Sequence, residues 1–315
     1  MAIYDSILGL VGNTPLVDVS QLSPNPTARI LAKLEGQNPG GSVKDRIAVS
    51  MVEEAEKEGR LRPGQTILES SSGNTGIGLA MVAKVKGYRI KVVLPENVSD
   101  ERKQLLQIWG AEIVLSSGTE GSNGAMRLAQ RLAEEEPDCW FPFQYGNAGN
   151  PKAHYEGTGP EIWRDCPETT HFVAGLGTSG TLVGAGRFLK ERKPHLQVWA
   201  VEPPAGEMVD GLKNFEEGFV PPVFLDNQGY ELLDRKRVVS PRESVEWTRR
   251  LIEVGVFAGI SSGAVMAGAV KCAAEIDEGV IVALLADGGW KYLSTGVWTE
   301  DLDRVTERAR RIIYF

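Results

Sequence analysis

The chain has 315 residues, of which 42% are hydrophobic and 24% charged, as expected for a water-soluble globular protein with one large domain or two lobes. Its 34 basic and 42 acidic residues give a net charge of -8, which argues against a general binder of nucleic acid or anionic membranes. The first residues lack the basic and apolar regions of a signal peptide, and no apolar run is long enough to span a bilayer. We therefore expect a cytoplasmic protein.

Cysteines and histidines give no sign of a disulfide framework or a metal site. The three cysteines, at positions 139, 166 and 272, are odd in number and widely spaced. The three histidines are equally scattered, without the spacing of a known metal motif. We expect reduced structural thiols and no bound metal.

The first distinctive segment is Asn-Pro-Gly-Gly-Ser-Val-Lys-Asp-Arg at residues 38–46. Its proline and glycines favour a turn, Ser42 suits a helix N-cap, and the apolar spacing through Met51 and Val52 predicts a helix. Lys44 would then lie in the first helical turn. The positive end of the helix dipole disfavours the ammonium form there and helps the amine act as a nucleophile. A solvent-exposed lysine beside a helix cap is the alternative.

Strand and helix patterns alternate from residue 60 onward. Predicted strands at 66–69, 89–94 and 111–115 alternate with predicted helices at 77–86, 101–109 and 123–135. A second series has strands at 171–174, 197–202 and 280–285 and helices at 181–190, 241–253 and 263–274. Such alternation predicts an α/β fold with two lobes, each with a mainly parallel twisted sheet flanked by helices.

Two irregular regions interrupt this alternation. Residues 144–160 are rich in Gly, Asn and Pro, and we expect them to cross between the lobes. Residues 203–228 form a long stretch without clear periodicity, which in compact domains is usually functional or mobile.

Two glycine-rich loops each follow a predicted strand and precede a helix. They are Ser-Ser-Gly-Asn-Thr-Gly at 71–76 and Gly-Leu-Gly-Thr-Ser-Gly-Thr at 175–181. Glycines at this junction let backbone N–H groups point at an anion, assisted by the helix N-terminus. Either loop alone could be a tight turn without a ligand. Two such loops and Lys44 together predict one site for a phosphate and another for a carboxylate. Neither loop has the Walker A or dinucleotide-binding spacing.

Six motifs in this order resemble the fold-type II pyridoxal-phosphate enzymes, and specifically the cysteine synthases. Besides the lysine segment and the two loops, they are Asn-Thr-Pro-Leu at 13–16, His-Tyr-Glu-Gly-Thr-Gly-Pro-Glu-Ile-Trp at 154–163 and Gly-Ile-Ser-Ser-Gly at 259–263. The resemblance covers nearly the whole chain. It implies a smaller lobe at 37–148, a larger lobe at 12–36 plus 149–300, and a C-terminal tail at 301–315.

The resemblance also implies the residues of the site. The implied cofactor-binding residues are Lys44, Asn74, Gly177, Thr178, Ser179, Gly180, Thr181 and Ser261. The implied substrate-binding residues are Ser71, Ser72, Gly73, Thr75, Gln144 and Lys213. Lys44 would form a Schiff base with pyridoxal 5'-phosphate and then take the substrate's Cα proton. Asn74 would contact the ring hydroxyl, residues 177–181 the phosphate, and Ser261 or its neighbour Ser262 the pyridine nitrogen.

The implied activity is that of a transferase in cysteine biosynthesis, which replaces the β-substituent of an amino-acid substrate by sulfur through an aminoacrylate intermediate. Residues 206–222 and 289–296 resemble the B-type branch, and most closely actinobacterial enzymes that accept O-phosphoserine. Those enzymes have an arginine where this chain has Lys213. Because lysine lacks the bidentate fork that arginine offers a phosphate, O-acetylserine stays open as the substrate. Lys213 as a solvated loop charge is the alternative.

The tail ends in Ile-Ile-Tyr-Phe, which is unusual for a free terminus unless it is buried. In the resembling branch the tail folds over the active site, and a small carrier protein with a thiocarboxylated C-terminus supplies sulfur in place of sulfide. Packing in a homodimer is the alternative role for the tail.

Other functions compete with this one. A serine/threonine dehydratase-like lyase usually has Asn-His where this chain has Asn74 and Thr75, and the haem-type cystathionine β-synthases have an N-terminal extension that is missing here. A non-catalytic scaffold that binds a phosphate ligand would not need Lys44.

Overall fold

The computed structural model describes residues 3–71 and 73–311. The strands are β1 (Leu16–Asp18), β2 (Ala28–Leu34), β3 (Thr66–Ser70), β4 (Arg89–Pro95), β5 (Glu112–Ser116), β6 (Cys139–Trp140), β7 (His171–Gly175), β8 (Gln197–Glu202), β9 (Arg235–Val238) and β10 (Gly279–Leu285). The α-helices are α1 (Lys44–Lys57), α2 (Asn74–Lys86), α3 (Asp100–Ile108), α4 (Gly121–Glu135), α5 (Gly149–Ala153), α6 (Gly159–Asp165), α7 (Gly180–Arg192), α8 (Pro222–Asp226), α9 (Gly229–Leu232), α10 (Pro241–Glu253), α11 (Ile260–Glu275) and α12 (Leu302–Arg311).

The strands form two separate sheets. The larger has the order β1-β2-β10-β7-β8-β9, in which only the β1–β2 pairing is antiparallel. The smaller has the order β5-β4-β3-β6 and is parallel throughout. The predicted α/β class with mainly parallel sheets is thereby confirmed. The lobe boundaries at residues 37 and 148 stay a prediction.

The central strands read as nearly continuous apolar runs because helices cover both faces of each sheet. Helices α10 and α11 pack on one face of the large sheet, and α6 and α7 contribute to the core on the other face. In the small sheet, α1 and α2 share one core, and α4 packs on the opposite face. Helix α1 buries Ile47, Ala48, Met51, Val52 and Ala55, a helical spacing that directs one face inward. Lys44, three residues before Ile47, lies on the same side of this helix.

Each predicted strand and helix corresponds to an observed one, and the differences are a helix cap and several elements that were not predicted. The prediction that Ser42 is the N-cap of α1 is wrong by one residue, because Val43 is the cap. The Ser42 hydroxyl still accepts the N–H of Lys44 at 3.2 Å. Strands β1, β2, β6 and β9 were not predicted, since β1 and β6 span only three and two residues and β9 is charged. Much of residues 203–228 is irregular, as predicted, with α8 as a short exception.

The expected irregular crossing at 144–160 is helical from Gly149 onward. Helix α5 is followed by a π-helical turn over His154–Thr158 and then by α6. The small residues that predicted a loop instead allow close packing: a Cβ added at Gly159 would lie 2.8 Å from the Phe188 Cβ of α7. Burial of α5 against α1 and α7 thus outweighs its weak helix propensity.

A buried ionic cluster ties α1 to the large lobe. The Arg46 side chain bonds Glu35 (Nε to Oε2, 2.6 Å) and Glu161 of α6 (Nη1 to Oε1, 2.7 Å). Lys33 of β2 bonds the second oxygen of Glu161 at 2.7 Å, and Thr14 donates to Glu35 at 2.6 Å. Burial alone would raise the pKa of the Glu161 carboxyl, but its hydrogen bonds to Arg46 and Lys33 and their charges lower that pKa to about 2. All five side chains are buried and mutually satisfied, so they fix the start of α1.

The described part of the predicted tail, residues 301–311, is mostly helix α12, which packs against α10. Val305 is buried in the core of the large lobe, and Asp303 forms an ion pair with Arg242 of α10. The apolar end that motivated the prediction about the tail, residues 312–315, lies outside the described residues.

Candidate active site

One cavity is lined by residues from both lobes, at the carboxyl ends of β3, β7 and β10. The loops after parallel strands meet at this edge, which is where α/β proteins commonly bind ligands. Most of the predicted site residues line it: Lys44, Ser71, Gly73, Asn74, Thr75, Gln144, Gly177, Thr178, Ser179, Thr181, Lys213 and Ser261. The sequence separation within this set shows that both lobes are needed to build the cavity.

Two predicted residues do not join this set. Ser72 lies outside the described residues. Gly180 opens α7 behind the cavity, where an added Cβ would lie 1.9 Å from Asn150 Oδ1. Gly180 therefore allows close packing of the loop, and its contact with a phosphate stays a prediction.

Lys44 is the first residue of α1 and is half-buried in the cavity wall. Burial lowers the pKa of its amine to about 8; Asp287 and Glu35 oppose this shift, and the positive charge of Lys291 adds to it. A lysine amine with this pKa is deprotonated more often near neutral pH than an exposed lysine. The position at a helix start and the lowered pKa agree with the predicted nucleophile.

The lowered pKa predicts how the reactivity of the Lys44 amine depends on pH. We expect its labelling by an amine-reactive reagent on the cofactor-free protein to rise through a midpoint near pH 8, because only the deprotonated amine attacks. Peptide mass spectrometry across pH 6 to 11 measures this profile. A Lys44 midpoint near the 10.5 of free lysine would contradict the proposed environment.

The loop after β3 is held to the loop after β6 by side-chain hydrogen bonds. Thr75 Oγ1 donates to Gln144 Oε1 at 2.7 Å, and both side chains are buried at the cavity. Ser71 Oγ accepts the N–H of Gly73 at 3.3 Å, which bends the backbone into helix α2. Hydroxyl, amide and backbone donors thus converge on one side of the cavity, as a carboxylate requires.

The loop after β7 has the shape of an anion cradle. Ser179, the N-cap of α7, has a left-handed backbone with φ of 69°, and this turns the chain into the helix. A Cβ added at Gly177 would lie 2.6 Å from the Gly211 carbonyl oxygen, so a side chain cannot be accommodated there. The hydroxyls of Thr178 and Thr181 are oriented by Asn150 (3.1 Å) and His154 (3.1 Å).

Of the two serines considered for the ring nitrogen, only one reaches the cavity. Ser261, the second residue of α11, is buried and lines it. Ser262 is buried with an unpaired hydroxyl and is not part of the lining. The position therefore favours Ser261.

Lys213 is half-buried and lines the cavity. Its ammonium lies 4.9 Å from the centre of the Tyr145 ring and 5.2 Å from that of Phe219, both distances typical of cation–π contacts. Lys213 is thus less exposed than the alternative of a solvated loop charge implies, and its role in substrate binding stays a prediction. The aromatic rings keep its positive charge at the cavity.

The sequence analysis gave no role to a group of polar residues that joins the two lobes at the cavity, and three of them, Arg102, Asp210 and Tyr292, line it. Arg102 of α3 forms a buried ion pair with Asp210, and its guanidinium carbon lies 5.4 Å from the Tyr292 ring centre. Tyr292 donates to Asp287 Oδ2 at 2.8 Å. One signal was accessible: Asp287 follows β10, and polar residues after a parallel strand point to this edge of the sheet.

No cluster of His, Cys, Asp or Glu within residues 3–71 and 73–311 is arranged to hold a metal ion. The helices of the described part of the chain are also too short or too polar to cross a membrane.

Comparison with known proteins agrees with this geometry. A family model described as "Pyridoxal-phosphate dependent enzyme" matches residues 7–287. The chain is 41% identical over 293 residues to cysteine synthase B of Salmonella typhimurium, a match that covers 92% of this chain and 95% of that protein.

Solved structures give the same result. The cysteine synthase (OASS) of Entamoeba histolytica superposes with a TM-score of 0.88 at 32% identity, covering 98% of this chain and 96% of that one. The crystal structure of O-ureido-L-serine synthase also gives a TM-score of 0.88, at 38% identity, covering 94% of this chain and 96% of that one. The resemblance inferred from the six motifs is confirmed, and the chain belongs to the cysteine synthase family of pyridoxal-phosphate dependent enzymes.

Proposed function

We propose that this protein synthesises cysteine by replacing the β-substituent of O-phosphoserine or O-acetylserine with sulfur. One observation carries the proposal: the amine of Lys44 and both glycine-rich loops face the same cavity. A binding scaffold could use the loops without a reactive amine. It has no physical need for a half-buried lysine with a pKa near 8.

The residues present fit pyridoxal phosphate. Lys44 offers a primary amine for the cofactor's carbonyl group. The loop at 177–181 offers backbone N–H groups, the Thr178 and Thr181 hydroxyls and the start of α7 for its phosphate. Ser261 offers a hydroxyl for the pyridine nitrogen. Asn74 offers an amide for the ring hydroxyl.

Bound pyridoxal phosphate withdraws electrons from the substrate α-carbon, which acidifies the Cα proton and weakens the bond to the β-substituent. Lys44 Nζ takes the Cα proton, for which its lowered pKa suits it near neutral pH. Ser71, Thr75, Gln144 and the Gly73 backbone hold and orient the substrate carboxylate. Ser261 does not protonate the ring nitrogen as an aspartic acid would, and this favours loss of the β-substituent over transamination.

Residues of both lobes exclude water from the reaction. The Arg102–Asp210 ion pair and the bonds from Glu101 of α3 to Ser294 (2.9 and 2.7 Å) connect the small lobe to the large lobe beside the cavity. Small-lobe closure on the substrate carboxylate would keep these contacts in place and protect reactive species from hydrolysis.

Lys213 supports O-phosphoserine as the preferred substrate. Its ammonium lies at the cavity, where it can neutralise a departing phosphate, although it makes no bidentate contact. The sulfur donor is sulfide or the thiocarboxylate of a small carrier protein. We further propose a homodimer in the cytoplasm, as the family resemblance implies.

Absorbance spectroscopy tests the proposal. The protein loaded with pyridoxal phosphate is expected to show a visible band that changes when either substrate is added and returns when sulfide follows. O-phosphoserine should act at a lower concentration than O-acetylserine. Lys213→Met should raise the half-saturating concentration of O-phosphoserine about tenfold, because roughly one charge-assisted hydrogen bond is lost. The half-saturating concentration of O-acetylserine should change less than about twofold.

Lys57→Met, at the exposed end of α1, is the matched control and should change the half-saturating concentration of neither substrate. Absence of any visible band would contradict the enzyme proposal itself. Equal effects of Lys213→Met on both substrates would show that Lys213 does not select the leaving group.

A further inference from the structure

The side-chain amide of Asn74 is bonded at both ends by groups of opposite charge. Asn74 Nδ2 donates to Asp287 Oδ2 at 2.9 Å, and Asn74 Oδ1 accepts a hydrogen bond from the Lys291 ammonium. Both charged residues are almost completely buried, at 1% exposure for Asp287 and 2% for Lys291. Neither belongs to the set of residues to which the sequence analysis gave a role.

This arrangement permits only one orientation of the amide. A 180° flip would place the amide hydrogens against the Lys291 ammonium and the amide oxygen against the Asp287 carboxylate. Both contacts would become repulsive, and burial removes the water that would otherwise screen them. The Asn74 nitrogen carries two hydrogens, of which one bonds Asp287. The other remains for a ligand in the cavity that Asn74 lines.

The two charged residues are themselves held by the backbone around Lys44. Lys291 Nζ also donates to the Gly41 carbonyl at 3.2 Å, and the Gly288 N–H donates to the same carbonyl at 3.3 Å. The Val43 N–H donates to the Ala286 carbonyl at 2.8 Å. The segment that carries Asp287 and Lys291 is therefore fixed against the turn that precedes Lys44.

We propose that Lys291 and Asp287 are positioning residues that lock the Asn74 amide so that its free N–H always faces the bound cofactor. The inference rests on the proposed function, because it assigns a purpose to the contact between Asn74 and the ring hydroxyl. Asn74 lines the cavity and Lys291 does not, so Lys291 acts through Asn74. Tyr292, which donates to the same Asp287 oxygen at 2.8 Å, keeps that carboxylate in place.

A double-mutant cycle tests the lock, with pyridoxal phosphate as the titrant on cofactor-free protein. Asn74→Ala should weaken pyridoxal phosphate binding about tenfold and shift the visible band, since a hydrogen bond to the ring is lost. Lys291→Met should weaken binding by about fivefold and shift the band in the same direction. In the Asn74→Ala background the same Lys291→Met change should cost less than about twofold, because no amide remains to be oriented.

Lys291→Arg, which keeps a cationic donor, should restore the wild-type band position. Should Lys291→Met fail to fold, Asp287→Asn serves the same cycle by removing the charge on the other side of the amide. An equal loss in both backgrounds would overturn the lock and indicate a direct effect of the Lys291 charge on Lys44. Failure of the proposed function looks different: wild-type protein would then give no visible band with pyridoxal phosphate at all.

Discussion

Replacing Lys44 by alanine is expected to abolish the visible absorbance band and to lower kcat/KM for cysteine formation by on the order of a thousandfold. The change removes both the amine that anchors the cofactor and the base that takes the Cα proton, and a positioned base alone contributes a hundredfold or more. Absorbance spectra and cysteine production from O-phosphoserine and sulfide measure the two effects on the same sample.

The control for this change is Lys57→Ala, in the last turn of the same helix and exposed to solvent. It removes a lysine from α1 without touching the cavity and should retain the band and the rate. Lys44→Ala protein should also keep the unfolding midpoint of the wild type, because loss of a half-buried amine leaves the core of α1 intact. A Lys44→Ala enzyme that retained the band would show that another amine holds the cofactor.

Replacing Arg46 by methionine should lower the free energy of unfolding by about 3–5 kcal/mol, since removal of one partner leaves buried charges unpaired. Glu35 and Glu161 would each lose their guanidinium partner, and their side chains are only 0% and 8% exposed. Urea denaturation followed by tryptophan fluorescence measures the change. Activity of the fraction that remains folded should also fall, because this cluster fixes the helix that begins with Lys44.

Arg60→Met provides the comparison for an exposed ion pair. Arg60 bonds Glu58 at 2.6 Å, but the two side chains are 46% and 55% exposed. Exposed pairs contribute about 0–1 kcal/mol, so this variant should unfold close to the wild type. Similar losses for Arg46→Met and Arg60→Met would refute the role given to the buried cluster.

Much of the site was predictable because its signals are local. Lys44, the loop at 71–76 and the loop at 175–181 each combine a turn and a helix start within a few residues, and parallel strands bring their carboxyl ends to one edge. The strands β3, β7 and β10 were predictable in the same way, from their apolar runs. The assignment of a specific cofactor came from the order of six motifs, not from any one of them.

The parts that were not predicted depend on partners far apart in the chain. Asn74 meets Lys291, and Arg46 meets Glu161, only because the two lobes pack together. A lone Lys291 or Arg46 in the sequence looks like any charged residue. The helices within residues 149–165 were not predicted for a related reason. Their glycines and Pro151 have low helix propensity, and the close packing that stabilises these helices depends on residues distant in the chain.

The pairing of β2 with β10 has a consequence for how the chain folds during its synthesis. The register aligns Ala28 with Gly279, about 250 residues apart, whereas β3 to β6 of the small sheet lie together between residues 66 and 140. The small sheet can therefore assemble during translation. The apolar β2 can pair with β10 only after almost the entire chain has been synthesised. Throughout that interval the edge of β2 that pairs with β10 has no partner, so we expect it to stay exposed for longer than the strands of the small sheet.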